Sequence, residues 1–299
     1  MTAKATSSET SLAQVRKELD AIDDALHDLL MQRAAVVMKV AAAKALAARA
    51  AGEGSFVAFR PEREAQILRR LAVRHGGSLP LPVIFRVWRE IISAMIQLQT
   101  PFRVEVFGGE GDGALALWDL ARSYYGSSTP MELHDSPRDV LRRISQDRWA
   151  IGILPAAGNY PGGDWWSSLA GAGANGPRVV ARLPFISDGA AEPVSAYVIA
   201  QADFEPTGED TSLLSVSARS DMSEARMVAT VREAGFEPVR LGLVTLQNGA
   251  ARHMSLFAIS GHVASDDARL AALNGMSPEL DARLIGGYAD PVRLAQVGG

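Results

Sequence analysis

The segment RAAVVMKVAAAK, residues 33–44, places Arg33 and Lys44 at the ends of a stretch of mostly small and apolar residues. On an α-helix that spacing is three turns plus roughly 20°, so both side chains leave one face. Charge on an apolar face is costly unless it is paired or binds something. Arg16, Arg63 and Gln99 are further donors nearby in sequence, with Glu64 as an acceptor among them. Several guanidinium and ammonium donors in one pocket suit a small polyanion, and two carboxylates match paired arginines well. Two readings fit such a set: donors converging on an anionic ligand, or cations that snorkel from a wide apolar face and form structural ion pairs. Arg16 leaves the helix roughly 100° away from Arg33, so it serves another face. In an intertwined dimer it would reach the partner's pocket.

The elements that carry these residues read as helices. Leu12, Val15, Leu19, Ile22, Leu26, Leu29, Arg33, Val36, Val40 and Lys44 recur at steps of three and four, Ser11 is placed to cap the run, and Gly52 and Gly54 end it. The result is a helix about 60 Å long at 1.5 Å per residue. A compact unit of about 100 residues has a radius of gyration near 13 Å, so such a helix overshoots its own domain. A homodimer of intertwined long helices covers it; a kink near the Ala-rich end is the alternative. A second helix starts at FRPEREAQILRRL, with Pro61 at its first position and Glu62 and Glu64 facing the positive end of the macrodipole. GGSLPLP (76–82) breaks it. A third helix follows in VIFRVWREIISAMIQLQ, with Ile84, Trp88, Ile91, Ile92 and Met95 as its apolar stripe and Gln99 continuing it.

After Thr100-Pro101 the texture changes to alternating strands and helices. Strands are expected at 103–107, 149–154, 178–183, 194–200, 211–217, 239–246 and 254–260, and helices at 113–125, 136–146, 221–235 and 265–274. The Gly-, Pro-, Asn- and Ser-rich stretch 155–177 reads as a loop anchored by Trp165 and Trp166. From 211 onward the order strand, helix, strand, strand, helix, strand implies a ferredoxin-like α/β sandwich. The expected organisation is multidomain: a disordered stretch 1–10, an all-α three-helix domain over 11–100, an α/β region over 101–207 and a second α/β domain over 208–299.

A formal net charge of −4 gives no broad reason to bind nucleic acid or an anionic membrane. All four lysines fall within the first 44 residues, so an anionic ligand belongs with the amino-terminal part. Absence of cysteine excludes disulfides, thiolate nucleophiles and Cys-ligated metals, and fits a reducing cytoplasm. The start, MTAKATSSETSLAQV, has no apolar core of a secretory signal, and no stretch reaches the ~18–20 apolar residues that span a bilayer. A soluble cytoplasmic protein is expected. His27, His75, His134, His253 and His262 show no metal-ligand spacing, so no metal is expected. GGEGDG fits neither the dinucleotide nor the P-loop pattern and reads as a surface turn.

Residues 11–99 resemble the all-helical chorismate mutases, in particular the amino-terminal domain of bifunctional chorismate mutase–prephenate dehydratases. The resemblance runs through LAQVRKELDAIDDALHDLLMQRAAVV, PEREAQIL and WREIISAMIQLQ. Arg16 and Arg33 stand at the family's arginine positions, Lys44 at its catalytic lysine, Arg63-Glu64 at its Arg-Glu pair and Gln99 at its glutamine. Two departures are a longer connection from Lys44 to Arg63 and Arg60 where some members carry aspartate. The resemblance implies rearrangement of chorismate to prephenate without covalent intermediate, metal, cofactor or proton transfer. It also implies a homodimer through the amino-terminal helices. Lys44 and Gln99 would donate to the breaking ether oxygen, and Arg33 and the partner's Arg16 would hold carboxylates. Arg63 would support the site, and Glu64 would accept the substrate hydroxyl.

The remainder resembles a degenerate prephenate dehydratase-like α/β region, over 101–207, followed by an ACT-like domain over 208–299. TGEDTSLLSV (207–216), LFAISGHVASDDARLAAL (256–273) and LIGGYADP (284–291) carry this resemblance. The dehydratase signatures are altered. Ser195-Ala196-Tyr197 replaces Thr-Arg-Phe, GGEGDGAL replaces the Gly-Thr-Phe-Ser loop, and LPAAGNYP replaces Pro-Ile-Glu-Asn-Ser. VRLGLVTLQNG (239–249) stands where the effector motif Glu-Ser-Arg-Pro is expected. A chorismate mutase with a noncatalytic, regulatory extension is the expectation. The alternatives are a bifunctional enzyme that keeps dehydratase activity, and a ligand-sensing or partner-binding protein with a residual mutase fold.

Overall fold

In the computed structural model the described residues are 11–52, 56–109, 112–157, 163–173, 176–187, 194–246 and 252–294. The expectation for residues 1–10 lies outside them. The chain forms two compact units, Met1–Ala58 and Phe59–Gly299.

The first unit is built on α1 (Leu12–Ala50), one continuous helix of 39 residues. Ser11 caps it, its side chain accepting from the Gln14 backbone N–H. At the other end Ala51 donates to the Ala47 carbonyl, and Gly52 takes a positive φ that ends the helix. The apolar stripe is exposed: Leu12, Val15, Leu19, Ile22, Leu26, Leu29, Val36 and Val40 all lie open, with Leu29 at 60%.

The second unit begins with α2 (Pro61–Arg74) and α3 (Leu81–Gln99), each with proline in its first turn. Ala65, Leu68 and Ala72 of α2 and Leu81 and Phe85 of α3 form one core cluster with Phe185 and Ala289. The buried face of α3 is turned from the expected stripe. It centres on Phe85, Arg89, Ile92, Ser93 and Ile96; of the expected stripe Ile92 and Met95 are buried, while Ile84, Trp88 and Ile91 are half-buried.

Strands β1 (Arg103–Phe107), β2 (Met131–His134) and β3 (Ala150–Pro155) follow, with α4 (Asp112–Tyr125) and α5 (Pro137–Gln146) as crossovers. β1 pairs in parallel with both β2 and β3. Next come β4 (Arg178–Leu183), β5 (Ile186–Ser187) and β6 (Ala196–Ala200), with β6 antiparallel to both β3 and β4. The stretch 155–177, expected as loop, holds a 3-10 helix, Gly163–Gly171. Trp165 and Trp166 are buried, and Trp165 Nε1 donates to the Pro155 carbonyl at 3.0 Å, so the tryptophans anchor this stretch.

The final segment runs β7 (Asp210–Arg219), α6 (Glu224–Glu233), β8 (Pro238–Leu246), β9 (Arg252–Ser260), α7 (Ala268–Gly275), β10 (Asp281–Ala289) and β11 (Val292–Arg293). Its strand order β10-β7-β9-β8, antiparallel throughout, is ferredoxin-like. α6 and α7 cover it through Met227, Val231, Leu270 and Leu273, packed on Leu214, Val216 and Phe257. β10 also pairs in parallel with β4, so both halves share one nine-stranded mixed sheet in the order β2-β1-β3-β6-β4-β10-β7-β9-β8. Gly286 makes this junction. It has φ +123°, and a Cβ there would lie 2.0 Å from the Val179 carbonyl oxygen, so only glycine fits. β5 and β11 form a separate two-stranded ribbon.

Candidate active site

α1 carries three of the expected site residues. Arg16 is exposed, whereas Arg33 and Lys44 are half-buried. Arg33 Nη1 is shut away from solvent without a hydrogen-bond partner, and burial lowers the guanidinium pKa from its ordinary value. A buried donor without an acceptor is costly to keep. The Lys44 ammonium lies 5.7 Å from the centre of the Phe56 ring, a cation–π contact.

The other three residues lie in the second unit. Arg63 is exposed and donates from Nη1 to Gln66 Oε1 at 3.3 Å. Glu64, one position on, points inward and is buried. Gln99 is half-buried and donates from Nε2 to the Met95 carbonyl at 2.9 Å, within its own helix. A carboxamide nitrogen has two N–H groups, so one donor of Gln99 is left for another acceptor. The hydrogen bonds of Arg63, Glu64 and Gln99 thus run to Gln66, Arg89 and Met95 rather than to one another.

Arg89, absent from the expected set, is the partner of Glu64. Its Nη1 donates to Glu64 Oε2 at 2.6 Å, and its Nε donates to the Tyr124 carbonyl at 2.7 Å. Its guanidinium lies 3.8 Å from the centre of the Tyr124 ring and 5.2 Å from that of Tyr125. Burial pushes the Glu64 carboxyl above the usual range, and Arg89 opposes that push. The rule that singles out Arg33, a cation in a helical apolar stripe, applies equally to Arg89 between Phe85 and Ile92.

α2 is tied to the α/β part of its unit at its N-cap and again two turns further along. Arg60 pairs with Glu62 and, at 2.6 Å, with Glu205. Arg69 donates to Thr207 Oγ1 and to the carbonyls of Glu209 and Asp290, at 2.7, 2.7 and 2.8 Å. Elsewhere, β1 and β2 bring Glu105, Glu132 and His134 together, their ligand atoms all within 4.8 Å of one another. This donor set is of a kind that can hold a divalent ion, and its members meet through the β1–β2 register, which histidine spacing in the sequence does not show. His134 Nε2 and Glu105 Oε2 already share a hydrogen bond. His262 Nε2 lies 3.0 Å from the Phe204 carbonyl, a structural contact. Ala196, where the dehydratase resemblance expects arginine, is wholly buried in β6.

Residues 15–100 match the family model of chorismate mutase type II. That span contains all of the expected site residues, Arg16 to Gln99. Among relatives, a protein of Pseudomonas aeruginosa described as "Bifunctional chorismate mutase/prephenate dehydratase" is 30% identical over 158 residues, covering 52% of this chain and 41% of the relative. A protein of Stutzerimonas stutzeri with the same description is 29% identical over 151 residues, covering 50% and 40%. The chain therefore spans well under half the length of these relatives. A solved prephenate dehydratase from Streptococcus mutans superposes with a TM-score of 0.42 at 11% identity, over 64% of this chain and 99% of that one, too remote a likeness to carry an argument. Among the described residues no helix is long and apolar enough to cross a membrane.

Proposed function

We propose that this chain is a chorismate mutase that rearranges chorismate to prephenate. The observation that carries the reading is the family match over 15–100, which encloses Arg16, Arg33, Lys44, Arg63, Glu64 and Gln99. In this reaction one C–O bond breaks and one C–C bond forms within a single molecule, so the protein's task is positioning and charge stabilisation. Lys44 and the remaining N–H of Gln99 donate to the ether oxygen as it gains charge. Arg33 holds a carboxylate through its unpartnered Nη1, Arg63 supports the site, and the free oxygen of Glu64 accepts the substrate hydroxyl.

Arg16 acts from a second copy of the chain. Along a continuous helix Arg16 and Lys44 are about 42 Å apart, whereas Arg33 and Lys44 are about 16 Å apart. Two side chains of one helix converge across the shorter distance on one small substrate, but not across the longer. The open apolar stripe of α1 supports the same conclusion, because eight large side chains left in water favour a homodimer.

We further propose that residues 101–207 are a noncatalytic, degenerate dehydratase-like region, and that residues 208–299 are an ACT-like regulatory domain in a cytoplasmic enzyme. Buried Ala196 in place of an arginine, and the β10-β7-β9-β8 order, support these assignments. The relatives, described as bifunctional, favour a second reading, in which dehydratase activity is kept. Product analysis separates the two: incubation with chorismate yields prephenate alone on the first reading and phenylpyruvate on the second.

A further inference from the structure

The pairing of Glu64 with Arg89 spans three helices. Glu64 lies on α2 and Arg89 on α3, and α4 supplies the Tyr124 carbonyl and the rings of Tyr124 and Tyr125. Both charged side chains are nearly sealed from solvent, at 8% for Glu64 and 3% for Arg89. A carboxylate buried to that degree goes neutral unless a cation accompanies it. Four ionisable groups face it: Arg89 from α3, Glu62 on its own helix, and Tyr124 and Tyr125 from α4. Glu62 is of like charge and is itself tied to Arg60, so Arg89 is the cation that favours ionised Glu64. The pair is also incomplete. Glu64 Oε1 and Arg89 Nη2 are both buried without partners. A carboxylate gripped through one oxygen keeps the other for an incoming hydroxyl, which both donates and accepts.

We propose that Arg89 is a positioning residue for the mutase reaction: it holds Glu64 ionised and aimed, and α4 of the α/β region holds Arg89 in turn. The proposal rests on the reading that Glu64 meets chorismate. It gives the α/β region a direct part in shaping the mutase site, since half of the Arg89 cradle comes from α4. An ion pair that only stabilised the fold would change how much protein folds, without moving the pH dependence of the folded enzyme.

The test measures kcat/KM for chorismate from about pH 5 to about pH 9 on the full chain, with Arg89→Gln, Arg89→Lys and Glu64→Gln variants, each checked for folding by circular dichroism. Activity needs ionised Glu64 and falls as pH drops through its pKa. Loss of the adjacent cation moves that acid limb to higher pH by about one unit or more, so on the limb kcat/KM of Arg89→Gln is about tenfold below the parent and recovers toward alkaline pH. Arg89→Lys keeps the charge and loses the Nε bond to Tyr124, so its limb moves less while KM rises. If Arg89→Gln does not fold, Arg89→Lys alone carries the test. Adding Arg89→Gln to Glu64→Gln costs little further activity, because the group it positions is already gone. An active parent whose acid limb is unmoved in folded Arg89→Gln, or, where that variant does not fold, whose KM is unmoved in Arg89→Lys, overturns the proposal alone. A parent that leaves chorismate unchanged overturns the functional reading and the proposal with it.

Discussion

Arg16 sits about 42 Å along α1 from Lys44, and from that distance follows a prediction about which copy of the chain it serves. Arg16→Ala removes a charged contact to a substrate carboxylate, worth about 1.5–3 kcal/mol, or roughly a tenfold to 150-fold loss of kcat/KM. Lys44→Ala removes the donor to the ether oxygen and costs about 10²–10³ in kcat. Each variant alone therefore keeps about a tenth of parent activity or less. In a two-fold dimer with Arg16 acting on the partner's site, mixing and re-equilibrating the two variants at equal concentration makes half of the dimers mixed. Each mixed dimer has one site with both defects and one site with neither. About a quarter of all sites are then intact, so the mixture regains about a quarter of parent activity. The assay follows chorismate loss in mixtures made after denaturation and refolding, with each variant treated alone as control. Activity in the mixture equal to the mean of the two separate variants refutes the trans arrangement, because it places Arg16 and Lys44 in the same site.

Three further outcomes follow. Leu26→Asp puts a carboxylate in the middle of the open stripe of α1, where Leu26 is 55% exposed in a single chain. Losing a buried leucine and burying a charge in each copy costs several kcal/mol of association, so sedimentation velocity shows monomers at micromolar concentration and mutase activity falls with them. Gln99→Glu donates only while protonated. With an ordinary glutamate pKa near 4.3, its kcat falls as pH rises and lies at least about 100-fold below the parent at neutral pH; an unchanged pH profile refutes the ether-oxygen role. Gly286→Ala drives a Cβ into the Val179 carbonyl at a φ that alanine avoids. It destabilises by more than about 1 kcal/mol, read as a lowered thermal midpoint.

Much of this architecture is written in local patterns. The steps of three and four from Leu12 to Val40 specify α1, and Ser11 and Gly52 bound it. The alternation from 210 to 289 specifies the ferredoxin-like order, because each strand there is nine or ten residues long and gives its period room to show. β2, β5 and β11 are four or two residues long and too short for a period to show. The joining of β4 to β10 depends on neighbours far apart in sequence, and only the backbone demand at Gly286 marks it. The candidate site divides in the same way. Arg33 and Lys44 declare themselves because one helix carries both. Glu105, Glu132 and His134 meet only through the β1–β2 register. Arg89 is legible as a cation on a helical apolar face, but its link to Glu64 needs the packing of α2 on α3, and its cradle needs α4.

The most direct measurement is the time course of products when the purified full chain meets chorismate, run beside the Lys44→Ala variant. The account predicts that prephenate accumulates without phenylpyruvate, and that Lys44→Ala slows its formation by about 10²–10³. Chorismate left unchanged by the parent, or converted equally fast by Lys44→Ala, would contradict it.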